Sequence, residues 1–219
     1  MELRDAILQR HSVRGFTSQP IPQQTLREIL TLATRAVSGE NCQPWEFAVV
    51  TGEPLERLKK RNTDLVRENA PMDREDWPLP DAYRPRGRAV GKALLTSMEI
   101  AREDGERRAW WAERGYRFFD APAVIFLLMD NAFDETAYRF DMGCVAQNIC
   151  LAAMEYGLGT CVEDQAVSYH KDAREILGIP EDKRFVIGIA IGYPDDSFPA
   201  NHVRTEREPV DAITLWSGF

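Results

Sequence analysis

Histidine and cysteine, the side chains that hold most structural metals, are scarce in this chain of 219 residues. The three histidines are far apart in the sequence: His11, His170 and His202. The four cysteines form no C-x-x-C motif: Cys42, Cys144, Cys150 and Cys161. This pattern argues against a histidine-based metal centre, a zinc ribbon and a thioredoxin motif, so no metal site is predicted. Scattered cysteines in a chain of this length are typical of buried thiols in a reducing compartment.

Long apolar segments and an excess of basic residues are also lacking. The longest apolar run, residues 121–129, is too short to span a bilayer. The first 16 residues are amphipathic and have no unbroken apolar segment, so they do not read as a signal peptide. The net charge is −8, whereas binding to nucleic acid needs a basic face that neutralises phosphates. We therefore expect a cytoplasmic protein that binds neither membranes nor nucleic acids.

The common motifs of nucleotide binding and side-chain catalysis are missing as well. Gly157 and Gly159 begin like a dinucleotide-binding loop, but Val162 stands where its third glycine belongs. Residues 87–92 depart from a phosphate-binding loop in spacing, and neither G-x-S-x-G nor H-E-x-x-H occurs. These absences favour a cofactor that carries its own chemistry.

Hydrophobic periodicity predicts a single α+β domain over residues 1–219, with a small sheet flanked by helices. Apolar residues at helical spacing predict helices over residues 2–10, 26–37, 53–68, 134–156 and 168–177, and over 87–117 with a break near Gly105. Short β-rich runs predict strands over residues 46–51, 123–129, 160–163 and 184–191. The second helix begins either at a capping box of Thr25 and Glu28 or directly after Pro22.

Two longer segments fit none of these elements. Residues 69–86 contain four prolines and form a long loop, and long loops in compact domains often serve as lids. The predicted lid and substrate-pocket insertion covers residues 70–119. Residues 199–219 are too polar for a core and form a C-terminal extension.

Four short segments have the residue types of a ligand site. In the first, Arg10 and Arg14 flank Ser12, and two arginine forks with a hydroxyl match the charge and acceptors of a phosphate. The second, residues 38–45, offers small and amide side chains at a helix-to-strand junction. The third, residues 157–164, has glycines that permit close approach of a flat ligand. The fourth, residues 204–209, is basic within an acidic chain.

Each segment also has a purely structural interpretation. The first and fourth could be solvated charged surface, the second an ordinary turn with Trp45 in the core, and the third a helix end that runs into a strand. Taken together and in this order, however, they resemble the nitroreductase family over the whole chain. The middle of the chain is similar to the nitrobenzoate-reductase-like branch of that family, in residues 77–86, 118–122, 141–148 and 176–180.

This resemblance implies a nitroreductase-like fold with a mostly antiparallel sheet, assembled as an intertwined homodimer with two FMN sites at the interface. The C-terminal extension would pack on the partner. The residues that the resemblance assigns to FMN are Arg10, His11, Ser12, Arg14, Ser38, Asn41, Glu163, Asp164, Arg204 and Arg207. Of these, Ser38 and Asn41 would come from the partner subunit. The backbone of Glu163 or Asp164 would face the flavin N5, although Val37 and the stretch after Val162 depart from the family pattern and leave open which residue of 162–165 does so.

The implied function is an FMN-dependent NAD(P)H oxidoreductase that reduces nitroaromatic compounds by ping-pong, two-electron transfer through flavin N5. Arg14 would stabilise the reduced flavin, and protons would come from water because no side-chain acid is evident. The residues expected to stack on an aromatic substrate are Trp77, Tyr83, Trp110, Trp111 and Phe119. Those expected to pair with a substrate carboxylate are Arg84, Arg86 and Arg88. Alternatively, the aromatic residues are core and the arginines solvated.

Other functions remain open at this point. The same flavin site could serve a quinone, an enone or a halophenol, or a non-catalytic flavin-binding module. A flavin-independent α+β protein is the simplest alternative. The sequence has no motif that distinguishes NADH from NADPH, and it does not define the physiological substrate.

Overall fold

The computed structural model describes residues 1–74 and 78–219. In this part of the chain there are seven α-helices and four β-strands. The helices are α1 (Leu3–Gln9), α2 (Gln23–Ala33), α3 (Gly52–Arg67), α4 (Arg84–Ser97), α5 (Gly105–Tyr116), α6 (Glu135–Glu155) and α7 (His170–Leu177). The strands are β1 (Trp45–Thr51), β2 (Ala123–Asp130), β3 (Gly159–Glu163) and β4 (Lys183–Gly192).

The four strands form one antiparallel sheet in the order β1-β2-β4-β3. Strand β2 is central and its first seven residues are all buried, as its continuous apolar sequence predicts for a strand covered on both faces. The outer strands β1 and β3 form the edges. The predicted α+β architecture with a small antiparallel sheet is therefore confirmed.

Alternate residues of β2 contribute to two separate cores, because successive side chains of a strand point to opposite faces. Ile125 packs with Ile29 of α2 and Ile149 of α6 on one face. Phe126 packs with Leu58 of α3 and with other apolar residues on the other face. The sheet therefore lies between two helical layers, and each layer buries one apolar face.

The predicted helices are confirmed with changes at their ends. Helix α2 begins immediately after Pro22, so Thr25 lies inside the helix and the capping-box alternative is wrong. It ends at Ala33, and Val37, expected on its apolar face, lies outside it and is 66% exposed. The predicted break near Gly105 extends from the end of α4 to Asp104, whose side chain caps α5 by accepting the N–H of Arg107 at 2.9 Å.

The C-terminal segment has little regular secondary structure. Residues 199–219 contain only two short 3₁₀ turns, Pro199–His202 and Val210–Ala212. All four cysteines are free thiols. Across residues 1–74 and 78–219, no helix has the length and apolar character that crossing a membrane requires.

Candidate functional site

The arginine-rich segment near the N-terminus lies against the edge strand β3. The N–H of Val13 donates to the carbonyl of Thr160 at 3.0 Å, and Ser12 forms a parallel bridge with Thr160. A side chain at Gly159 would place its Cβ 2.4 Å from a methyl carbon of Val13, so this close approach requires glycine. Residues 10–14 and the glycine-containing segment 157–164, which are distant in sequence, are thus brought together.

Asn201 fastens the same segment from the C-terminal side. Its Oδ1 accepts the N–H groups of Arg14 at 2.7 Å and Gly15 at 3.1 Å, and its Nδ2 donates to the carbonyls of Gly15 and Asp195 at 2.7 and 2.9 Å. The amide thereby makes four hydrogen bonds, which fully uses its two donors and two lone pairs. The sequence alone does not mark Asn201, because an isolated asparagine has no motif that distinguishes it.

Arg204 reaches the first residues of the segment through Asn201. Its Nη1 donates to the Asn201 carbonyl at 2.6 Å. Burial lowers the pKa of His11, and the positive charges of Arg204 and Arg10 lower that pKa further. His11 is therefore uncharged near neutral pH, while the two arginines beside it keep this end of the segment positive.

Two cavities meet the segment. The first, of about 200 Å³, is lined by residues from the arginine segment and the glycine segment, including Arg10, His11 and Gly157. The second, of about 400 Å³, is lined by Arg14 and by residues 161–165 of the glycine segment. Phe119 and Trp111 complete its aromatic side, and the guanidinium carbon of Arg14 lies 5.9 Å from the centre of the Phe119 ring. The two arginines therefore serve two different compartments.

Glu163, which lines the second cavity, has a buried carboxyl group. Glu163 is 7% exposed, and neither of its side-chain oxygens has a hydrogen-bond partner within the protein. Burial raises the pKa of Glu163 well above its ordinary value, and the positive charge of Arg14 only partly opposes this. The family resemblance assigns Glu163 only a backbone role, so the structure adds to the site a buried carboxyl group whose uncharged form burial favours.

The sequence of the chain matches a known protein family. The family model described as "Nitroreductase family" matches residues 7–193. The chain belongs to the nitroreductase family. The family resemblance inferred from the sequence is thereby confirmed.

Several characterised members of the nitroreductase family are similar to the chain over nearly its full length. The nitrobenzene nitroreductase of Ectopseudomonas oleovorans is 33% identical over 97% of this chain and 95% of its own. The 4-nitrobenzoate reductase of Nocardioides sp. (strain LMS-CY) is also 33% identical, over 99% of this chain and 91% of its own. Both relatives are named for the reduction of nitroaromatic compounds.

Solved structures agree in fold. The FMN and NADPH-dependent nitroreductase NfnB from sphigopyxis sp. strain HMH has a TM-score of 0.93 and 32% identity, with 100% of both chains covered. The FMN-dependent nitroreductase NfnB from Mycobacterium smegmatis, solved in complex with NADPH, has a TM-score of 0.90 and 28% identity, with coverage of 98% of this chain and 97% of that one. The predicted nitroreductase-like fold is confirmed.

The second predicted segment of this nitroreductase adopts a strained turn. Glu40, Asn41 and Gln43 all have positive φ, at 52°, 59° and 48°, although none is glycine. The Ser38 Oγ accepts the N–H of Gln43 at 3.1 Å, which holds the turn closed. As far as the described residues show, neither Ser38 nor Asn41 lines the two cavities of its own chain.

The other predicted residues of this nitroreductase are distributed as follows. Asp164 lines the second cavity and pairs with Arg74 at 3.2 Å, while Arg207 donates to Thr205 and Glu206 of its own exposed segment. Its contact with a phosphate stays a prediction.

The aromatic residues of the predicted lid differ in whether they line the second cavity. Phe119 is buried and lines the second cavity. Trp111 also lines this cavity, whereas Trp110 does not. Tyr83 is half exposed, with the guanidinium of Arg86 5.1 Å from its ring centre. Trp77 lies outside the described residues. The substrate contacts of Trp77, Tyr83 and Trp110 stay predictions.

Two of the three arginines expected to pair with a substrate carboxylate already form ion pairs within the chain. Arg84 pairs with Asp81 at 2.8 Å, and Arg86 pairs with Glu208 at 2.9 Å. Arg88 is exposed on α4. A substrate carboxylate would therefore compete with Asp81 or Glu208 for the first two.

Proposed function

We propose that this protein is an FMN-dependent NAD(P)H oxidoreductase that reduces nitroaromatic compounds. The observation that carries the proposal is the arrangement of Arg10 and Arg14, which line two cavities at one short segment beside Gly159 of β3. The named activities of similar family members support the same reaction class.

The residues present fit a phosphorylated planar cofactor. Arg10 and Arg204 provide positive charge for a phosphate, and the neutral imidazole of His11 is available for a hydrogen bond. The larger cavity falls within the usual range of ligand pockets, roughly 300–1,000 Å³, and has an aromatic side at Phe119. Neither side-chain oxygen of Glu163, which lines this cavity, has a hydrogen-bond partner within the protein. We therefore assign FMN to these cavities, with Ser12 and Arg207 at its phosphate end.

Bound FMN would supply two-electron transfer through its N5, first from NAD(P)H and then to the acceptor. The protein supports this chemistry electrostatically. Arg14 places a permanent positive charge at the cavity, which stabilises negative charge that develops on a ring held there. Burial raises the pKa of Glu163 and so favours its uncharged form, which adds no competing negative charge beside Arg14. The backbone of residues 163 and 164 is proposed to face N5.

The acceptor is proposed to be a small electron-poor aromatic compound. Phe119 and Trp111 offer aromatic faces at the cavity, and aromatic rings favour offset or edge contacts with one another. Residues 70–119 would form the lid that selects the acceptor, with Tyr83, Trp110 and Trp77 as further contacts.

We further propose an intertwined homodimer, in which each site takes Ser38 and Asn41 from the partner subunit. Three left-handed residues without glycine store strain in this turn, a feature that concentrates at functional sites. Since the turn lines neither cavity of its own chain, we assign it to a cavity of the partner subunit.

The C-terminal extension supports the same assembly. Its apolar side chains face solvent within one chain: Val210, Ile213, Leu215, Trp216 and Phe219. A groove of about 720 Å³ lies beside the edge strand β1, where Phe47 and Val49 meet Leu26 of α2. Exposed strand edges and apolar patches of this kind are normally covered. The proposed occupant of the groove is the extension of the partner.

The purified protein gives the direct test. We expect a yellow protein whose flavin, released by denaturation, is FMN, and whose bound flavin is bleached by NADPH or NADH without oxygen. Addition of nitrobenzene or 4-nitrobenzoate to the bleached protein should restore the oxidised spectrum. A panel that includes a quinone, an enone and a halophenol distinguishes the acceptor classes.

Each negative outcome has a separate meaning. Bound FMN without NAD(P)H oxidation would indicate a non-catalytic flavin-binding module. Faster reoxidation by the quinone, the enone or the halophenol would replace the nitroaromatic acceptor. A colourless protein that does not bind added FMN would contradict the proposed function as a whole.

A further inference from the structure

Three consecutive residues between α5 and β2 adopt the left-handed conformation. Phe118, Phe119 and Asp120 have φ values of 57°, 51° and 60°. This conformation is unfavourable for residues with a Cβ, and it is especially uncommon for bulky ones such as phenylalanine. Because Phe119 lines the larger cavity, the turn that fixes its position also shapes the proposed flavin site.

One buried guanidinium binds this turn. Arg114, 7% exposed on α5, donates from Nη1 to Asp120 Oδ2 at 2.8 Å and from Nη2 to the Phe119 carbonyl at 3.2 Å. The same Nη2 donates to the carbonyl of Arg14 at 2.9 Å. A single side chain therefore joins the backbone of Phe119 to that of Arg14, which are the aromatic and the cationic residue of the cavity.

Aromatic rings hold the guanidinium in place. The Arg114 Cζ lies 4.8 Å from the ring centre of Phe198 and 5.3 Å from that of Trp110. Phe198 also stacks on Trp111, with ring centres 6.4 Å apart. The guanidinium thus connects α5 and the segment before Asn201 to the turn.

The charges around Arg114 are nearly balanced. Asp120 accepts from Arg117 Nε at 3.0 Å as well as from Arg114, and Glu113 pairs with Arg117 and Arg67. Burial lowers the pKa of Arg114, but a guanidinium stays protonated in proteins. The guanidinium of Arg114 therefore keeps its charge and its hydrogen-bond donors over the working pH range.

We propose that Arg114 is a positioning residue that sets the separation and orientation of Arg14 and Phe119, and through them the orientation of the flavin ring. This inference rests on the proposed FMN site and adds to it a residue outside the four ligand-type segments. Arginine is required because its planar fork reaches several acceptors at once, whereas lysine offers a single point charge.

The test compares R114K with R108K, because Arg108 lies exposed on the same helix. Four quantities are measured for each protein: the FMN dissociation constant from quenching of flavin fluorescence, the visible circular dichroism of bound FMN, the melting temperature of the FMN-free protein, and kcat and KM. We expect R114K to weaken FMN binding about tenfold or more, as loss of charged hydrogen bonds implies. Its visible circular dichroism and kcat should change, and R108K should resemble the wild type.

Two outcomes would overturn the proposal. In the first, R114K binds FMN with wild-type affinity and the same circular dichroism. In the second, R114K loses FMN affinity only in proportion to a loss of stability, which is measured by the melting temperature of the FMN-free protein. If R114K does not fold, D120N decides: weaker FMN binding at an unchanged melting temperature supports the proposal, and unchanged binding contradicts it. Failure of the wild-type protein to bind FMN would instead refute the proposed function, so the two failures are distinguishable.

Discussion

The side-chain amide of Asn201 hydrogen-bonds to the backbone of Arg14, 187 positions earlier in the chain, at 2.7 Å. Asn201 is buried, so its loss would leave the N–H groups of Arg14 and Gly15 and the carbonyls that it serves without partners. The conformation of the arginine segment therefore depends on a residue close to the C-terminus.

We predict that Asn201→Ala lowers the free energy of unfolding by about 3 kcal/mol, since each unsatisfied buried group costs about 1–3 kcal/mol and the backbone relaxes partly. FMN affinity should fall as well, because Arg14 is no longer held. Urea denaturation and fluorescence titration measure the two effects. Asn131→Ala is the control, because Asn131 is exposed and donates to the carbonyl of Glu181. Equal losses in both variants would refute the role of Asn201.

The buried carboxyl of Glu163 predicts a pH-dependent stability. Its pKa in the folded protein lies above the ordinary value of 4.5, so the folded state holds its proton at pH values where the unfolded chain has lost it. Stability is therefore lost as pH rises from 4.5 towards the folded pKa. We predict that Glu163→Gln removes this loss and raises the melting temperature of the FMN-free protein more at pH 8 than at pH 5.

Glu113 offers a matched control for that experiment. It is as buried as Glu163, at 8% exposed, but it pairs with Arg67 at 2.8 Å and also with Arg117. Glu113→Gln should lower the melting temperature, because it removes the charge that pairs with the largely buried Arg117 and with the exposed Arg67. The difference in melting temperature between Glu163→Gln and the wild type should therefore depend on pH. An equal difference at both pH values would contradict a raised pKa of the buried carboxyl.

Close contact at Gly159 predicts a packing defect on substitution. A Cβ there would lie 2.4 Å from Val13 and 3.0 Å from Pro194, so Gly159→Ala should cost about 1–3 kcal/mol and displace residues 10–14. FMN affinity should fall in parallel. Gly91→Ala in α4, where no atom lies within 4 Å of the added methyl, should be neutral or stabilising by up to about 1 kcal/mol. Retention of full FMN affinity by Gly159→Ala would show that the segment tolerates displacement.

The exposed C-terminal extension predicts the assembly state. Leu215 is 94% exposed and Trp216 is 58% exposed within one chain. The double variant Leu215→Asp with Trp216→Asp should shift the protein from dimer towards monomer in sedimentation velocity and reduce bound FMN, because the partner turn at Ser38 is then withdrawn. Glu206→Gln, at an exposed position of the same extension, serves as the control. An unchanged dimer would exclude the extension as the main contact.

Substrate selection is predicted to depend on the lid. Truncation of Trp77 or Tyr83 to alanine should change kcat/KM across a series of nitroarenes more than it changes FMN content, since Tyr83 lies outside the cavity that Arg14 lines. The ratio of kcat/KM for nitrobenzene and 4-nitrobenzoate, compared with flavin content per protein, measures this. Identical ratios in the variants and the wild type would dismiss the role.

The elements that local pattern controls could be predicted from the sequence. Strand β2 has a continuous apolar run, and α6 has an apolar face that the fold buries, so both were identified close to their true bounds. The end of α2 was misplaced because Val37 continues the helical spacing although the chain has already turned at Thr34. Hydrophobic spacing alone does not show at which residue a helix ends.

Parts of the site that depend on tertiary contact could not be predicted. The arginine and glycine segments were found because their residue types are unusual. By contrast, Asn201 and Arg114 act through backbone groups of Arg14 that are 187 and 100 positions away. The left-handed turn at Phe118 was missed because no glycine or asparagine marks it.

The hydrogen bonds of Asn201 also have a consequence for the order of folding. They join groups that are 187 positions apart in the sequence. Because the entropy of closing such a loop must be overcome before the contact can form, we expect the arginine segment to gain its final backbone conformation only when Asn201 docks on it.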